Sequence, residues 1–200
     1  MKKFIIIFLC LTSYSLNAQD NTKKENPGYK NMFKFSVTNF FDNTFQISYE
    51  RMTCDNSALM ISGGLSYKDN GGEPMQGYKG ELQYKYFVYT REKENSGGSI
   101  YFAPYFLYKY TEKENYYHTE FAPYNYQILY YFNSFSGGIL FGKNFTIAKK
   151  LVIELYVGGG IKRTFGAHLK DNVSYYNYDI WDPGYNGITP KVGIDVGFKF

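Results

Sequence analysis

The sequence predicts an all-β protein, an eight-stranded antiparallel up-and-down β-barrel that spans a membrane. Three observations carry this expectation. Eight stretches alternate bulky apolar residues with small or charged ones, the period of two by which a strand divides its side chains between two faces. Beyond the N-terminal leader no stretch approaches the ~20 apolar residues of a membrane helix, and mean hydropathy is −0.41. Aromatic residues make up 21% of the chain, with 23 tyrosines, more than an ordinary core needs and suited to membrane interfaces and exposed loops.

Residues 1–18 have the parts of a secretory signal peptide: Lys2 and Lys3, an apolar run over 4–11, and Leu16-Asn17-Ala18, with cleavage expected after Ala18. Cys10 follows Leu9, where lipobox recognition needs a small residue, so no lipid anchor is expected there. A polar segment over 19–29 precedes the barrel, 30–200.

The first strand, 31–40, carries Phe33, Phe35 and Val37 on one face and Lys34, Ser36 and Thr38 on the other. A tight connection at Phe41-Asp42-Asn43 leads to the second, 44–52, where Phe45, Ile47 and Tyr49 alternate with Gln46, Ser48 and Glu50. The third, 58–67, sets Leu59, Ile61, Leu65 and Tyr67 opposite Met60, Ser62, Gly64 and Ser66. In the fourth, 78–89, Leu82, Tyr84, Tyr86 and Val88 oppose Lys79, Glu81, Gln83 and Lys85. The fifth, 99–110, contains Pro104, which has no N–H for the ladder and predicts a local bulge. The sixth, 130–142, presents Phe135, Ile139 and Phe141, and the seventh, 151–163, presents Leu151, Ile153, Leu155, Val157 and Ile161. The eighth, 190–200, places Val192, Ile194, Val196, Phe198 and Phe200 against Lys191, Gly193, Asp195, Gly197 and Lys199. Connections over 53–57, 90–98 and 143–150 are mostly shorter than those over 68–77, 111–129 and 164–189, as in barrels with short periplasmic turns and long outer loops.

Alternation alone is shared by a secreted lipocalin-like barrel with its apolar face inward. Volume favours the membrane form, because an eight-stranded interior only just accommodates side chains and the apolar faces here carry several bulky residues per strand. The polar faces supply glycines and serines, and charges of both signs: Lys34, Lys85 and Lys199 with Glu50, Glu81, Glu154 and Asp195. Buried charges must be paired or hydrated. A first turn centred near Asp42 would set Lys34 opposite Glu50 as an ion pair that fixes register.

Five segments, Ile47-Ser48-Tyr49-Glu50-Arg51-Met52, Ala103-Pro104-Tyr105, Gly137-Gly138-Ile139-Leu140-Phe141-Gly142, Leu155-Tyr156-Val157-Gly158-Gly159-Gly160 and Gly197-Phe198-Lys199-Phe200, together give the chain a family likeness. It resembles the small outer-membrane β-barrel proteins of Bacteroidota whose domain has no assigned function. The resemblance implies the fold and an outer-membrane location, and no activity. The terminal aromatic resembles the signal read by the barrel-assembly machinery.

Several function classes are disfavoured. The chain holds 22 basic and 18 acidic residues, and removing the two leader lysines leaves 20 against 18, a net of +2. Arginine is confined to Arg51, Arg91 and Arg163 and the lysines are interleaved with acids, so no nucleic-acid surface is expected. Cys54 is the one cysteine left after the leader, so no intramolecular disulfide is expected. An outer-membrane lipid-modifying enzyme or protease would need a base at the outer rim. His118, with Glu112, Glu114 and Glu120 around it, and His168, near Asp171, are the only candidates, and no spacing of histidine with serine supports a nucleophile. No catalytic residue, metal or cofactor is therefore assigned. A pore is disfavoured by the narrow, charged lumen. The expected role is structural in the envelope or a binding role for the loop aromatics Tyr124, Tyr126, Tyr175, Tyr176, Tyr178, Trp181 and Tyr185. Partners would be outer-membrane lipid and lipopolysaccharide, and an extracellular glycan or protein.

Overall fold

The computed structural model describes residues 30–69, 74–92, 96–117, 126–147, 150–168 and 182–200. Eight antiparallel strands form a closed ring in chain order: β1 (Asn31–Ser36), β2 (Thr44–Cys54), β3 (Ser57–Asp69), β4 (Pro74–Glu92), β5 (Ser96–Tyr117), β6 (Tyr126–Ile147), β7 (Leu151–His168) and β8 (Gly187–Lys199). One short helix, α1 (Val37–Phe41), interrupts the series. The ring closes where β1 pairs with β8, and the Asn31 amide donates to the Phe200 carbonyl at 3.2 Å. This end, where both ends of the ring meet, is the inner end below.

The alternation sorts the two faces as a membrane barrel requires. Phe33, Ile47, Ile139 and Val192 are 58%, 55%, 52% and 63% exposed, whereas Glu50 and Lys85 on the opposite face are 0% exposed. A lipocalin-like barrel needs the reverse. Interior glycines accommodate large interior rings: a Cβ at Gly142 would collide with the Tyr101 ring, and one at Gly193 with the Tyr156 ring. At Gly63, on the outer face, a Cβ would meet nothing within 4 Å. Gly187, at φ 148°, takes a backbone conformation that side chains disfavour, which lets the chain enter β8 beneath the Tyr185 ring.

Four expectations are corrected. The first strand ends at Ser36, and residues 37–41 are helical. Alternation fails there at the adjacent Phe40 and Phe41, both exposed, and side chains replace the lost ladder. The Ile194 amide donates to Thr38 Oγ1 at 2.7 Å, and Asn39 Nδ2 donates to Gln46 Oε1 at 2.9 Å. Asn43, at φ 52°, then reverses the chain, a left-handed position that asparagine tolerates.

The bulge lies elsewhere than Pro104. Pairing of β5 with β6 runs unbroken through Pro104↔Ile139, and the β4–β5 register shifts instead between Phe87 and Tyr89. On the β4 side the register is the same at Gln83↔Tyr105 and Tyr86↔Phe102, so the proline costs a local ladder bond without an inserted residue.

The strands β4 to β7 are also longer than apolar alternation suggested, since hairpin pairing continues beyond the apolar band as far as Tyr117↔Tyr126. Backbone hydrogen bonds do not require apolar side chains. Much of the supposed loop 111–129 is thus a projecting hairpin. Finally, Lys34 pairs across the ladder with Ser48, and Glu50 with Met32, so Lys34 and Glu50 meet on a diagonal.

Candidate functional site

The lumen has two layers of charge. In the inner layer Lys34 on β1 donates to Glu50 Oε2 on β2 at 2.5 Å and to Glu154 on β7. Lys85 on β4 lies 2.9 Å from Glu50 Oε2 and donates to Glu154 Oε1. The Tyr101 hydroxyl on β5 also donates to Glu154, and the Lys85 ammonium lies 4.4 Å from the centre of the Tyr101 ring. The four charged side chains are at most 1% exposed.

Two cations and two carboxylates cancel, and each lysine touches both acids. That arrangement answers the desolvation cost of burying ions, which only close pairing and further hydrogen bonds repay. Asp195 lies beside the network as the cross-strand partner of Glu154, with Oδ1 lacking a hydrogen-bond partner among the described residues. Lys199, nearer the inner end, donates to Thr146 Oγ1 at 2.9 Å. Tyr101, Tyr105, Tyr156, Leu140 and Phe87 pack the same region as a continuous apolar cluster.

The outer layer is different. A cavity of about 220 Å³ is lined by Lys79, Lys109, Lys162 and Lys191, with the acids Glu81 and Asp42. Lys191 donates to Glu81 and stands 4.3 Å from the centre of the Tyr105 ring. Lys79 donates to the neutral Asn39 Oδ1 at 2.7 Å, and Lys162 to the Asp182 carbonyl at 3.2 Å. Lys109 makes no hydrogen bond or ion pair among the described residues. Lys109 is close enough to repel both Lys79 and Lys162, and Lys191 also repels Lys79. The attraction of Asp42 acts on both Lys79 and Lys109, that of Glu81 on Lys79 and that of Asp182 on Lys162.

The segment 182–186 is tied across this end. Thr164 Oγ1 donates to the Pro183 carbonyl at 3.2 Å, and the Thr164 amide donates to Asn186 Oδ1 at 2.6 Å. The backbone runs on through Tyr185, whose hydroxyl donates to the Ile188 carbonyl at 3.2 Å.

The seven charges predicted for the lumen, Lys34, Glu50, Glu81, Lys85, Glu154, Asp195 and Lys199, all lie on the inner face and are buried. Four converge in the inner layer, Glu81 belongs to the outer one, and Asp195 and Lys199 flank the network. Sequence reasoning placed Lys79 and Lys191 on polar faces without making them a site, and it missed Lys109 and Lys162. The signal was present: Lys109 shares the parity of Tyr101 and Tyr105, and Lys162 that of Glu154. Among the loop candidates Tyr185 is described, and Tyr126 is placed as backbone in β6. Tyr124, Tyr175, Tyr176, Tyr178, Trp181 and His118 lie outside the described residues, and His168 is placed only as the last residue of β7. Glu112, once a candidate partner of His118, accepts from Gln76 Nε2 and from the Tyr110 hydroxyl, each at 2.7 Å.

No family model matches the chain, and no curated protein matches it. Among solved structures it is similar to the N-terminal β-barrel domain of Pseudomonas aeruginosa OprF, with 12% identity and a TM-score of 0.37 over 85% of this chain and 96% of that one. The assignment of an eight-stranded antiparallel barrel rests on this chain's own pairing and closure.

Proposed function

We propose that the protein is an outer-membrane β-barrel, exported through a cleaved signal peptide, with a non-enzymatic role that is structural in the envelope or exercised by binding at its outer surface. One observation carries this reading: an apolar, exposed exterior surrounds a polar interior whose inner half is packed and charge-compensated. In water so large an apolar surface would be a liability, whereas a bilayer is the solvent that matches it. Aromatic clusters support it. Phe33 lies 5.3 Å from both Tyr49 and Phe200 near the inner end, and towards the outer end Tyr78 lies 5.0 Å from Tyr110 and Tyr108 5.1 Å from Phe135. Rings suited to the headgroup level on either side of an apolar band are a feature of membrane barrels.

Membrane lipid and lipopolysaccharide would then surround the wall, and the barrel-assembly machinery would receive the chain. Kinship with the Bacteroidota barrels fits this reading. A glycan or protein ligand would engage the tyrosine-rich connections around 111–129 and 164–189. The test is fractionation of untagged native protein. Recovery with the outer membrane and heat-modifiable migration in detergent gels are expected, and recovery mainly in the soluble fraction would overturn the proposal.

A further inference from the structure

We infer that the outer half of the lumen is a binding site for a phosphoryl dianion, borne by a soluble phosphate ester or by a lipid headgroup. The inner layer shows how this chain neutralises buried lysines when it does so internally: Lys34 and Lys85 each reach both Glu50 and Glu154. The outer layer has four lysines and only two acids around one cavity. Of these lysines, Lys191 alone has a carboxylate in contact among the described residues, while Lys79 and Lys162 reach neutral oxygens. Lys109 repels two of the others from within the same space.

Like charges held together in a partly desolvated space cost free energy that a counter-ion of matching charge recovers. Counting Lys68, which repels Lys109, and Asp182, which attracts Lys162, beside the lining groups, five lysines face three acids, and the surplus of two positive charges matches a dianion better than a single carboxylate. Lysine ammonium groups act on phosphate as point charges and need no planar partner, unlike the arginine fork. The hydroxyls of Ser136 and Thr189 also line the space and can donate to further phosphoryl oxygens. A volume of about 220 Å³ accepts a phosphoryl group together with a sugar-sized part of its carrier. This site lies in the lumen and is separate from the loop surface proposed above.

The experiment is calorimetric titration of the full-length folded protein in a non-ionic maltoside detergent, so it does not depend on where the protein resides in the cell. The probes are inorganic phosphate, glucose 6-phosphate and glucose. Saturable binding of the two phosphates, none of glucose, and weakening by added salt are expected. The double variant Lys109→Gln/Lys162→Gln should weaken binding by at least about tenfold, since two charge-assisted contacts are lost. Lys143→Gln, at an exposed position near the inner end, should leave it unchanged. If the double variant does not fold, Lys162→Gln alone carries the same direction of effect. A parallel arm uses vesicles containing lipid A with or without its phosphates, and binding confined to the phosphorylated vesicles would assign the phosphoryl group to a lipid. Failure of both arms, or undiminished binding by the lysine variants, would overturn the inference.

Discussion

The two layers of the lumen hold the same kinds of side chain and use them in opposite ways. In the inner layer Lys34 and Lys85 share Glu50 and Glu154, so four strands are fastened across the barrel by ions that cancel. In the outer layer Lys79, Lys109, Lys162 and Lys191 face one cavity with Glu81 in contact with only one of them. What matters is whether each cation finds its carboxylate among the described residues: where it does the charge serves the fold, and where it does not the field is left for something else.

The sharpest way to break the comparison is to remove the acid that three groups share. Glu154→Gln leaves Lys34 and Lys85 with one carboxylate between them and is expected to cost about 3–5 kcal/mol, the penalty of stranding a buried charge. Urea unfolding of the protein reconstituted in lipid vesicles measures it. Next comes Gly142→Ala, which forces the Tyr101 ring out of the space beside Glu154 and is expected to cost about 1–3 kcal/mol by overpacking. Gly63→Ala, on the open outer face, should be close to neutral in the same assay.

A smaller term sharpens the account of the inner layer. A double-mutant cycle with Lys34→Ala and Glu50→Ala is expected to give a coupling of about 1 kcal/mol, because each single variant leaves a partner buried, and additive losses would mean independent hydration. The smallest effect belongs to the outer layer. Lys109→Met removes a repelled cation, and its unfolding free energy should fall within about 0.5 kcal/mol of the parent or slightly above it. A large loss there would show that the outer lysines fasten the fold as the inner ones do.

Much of this was legible in the chain. Period-two alternation gives the strand number, their order and the inner face of the seven charges assigned to the lumen, because the pleat leaves a side chain only two directions. Alternation is silent about how far pairing continues once the apolar residues stop, which is why the β5–β6 hairpin extends beyond its expected end to Tyr117. It is equally silent about distance across a closed ring. Lys34 with Glu50 could be suggested from a hairpin, but the meeting of Lys34 with Glu154, or of Lys109 with Lys162, depends on the tilt and closure of the whole barrel. Helix α1 was missed for a local reason: Thr38 and Asn39 supply from their side chains the hydrogen bonds that a strand would have made with its backbone.

The brevity of β1 has a consequence for how the molecule is built. Its pairing with β8 extends only from Met32↔Lys199 to Ser36↔Asp195, whereas β6 and β7 remain joined from Tyr130↔His168 to Ile147↔Leu151. The hairpins are local and form quickly, while the first and last strands must find each other across the whole length of the chain, the slowest kind of encounter and the least rewarded here. Lys34 strengthens that short join by reaching past β8 to Glu154 on β7, over Gly197, where a Cβ would come within 3.0 Å of the lysine stem. The last event of assembly is then the throwing of a bolt, and an open sheet with every hairpin made and its two edges apart is the species expected to accumulate when folding is slowed.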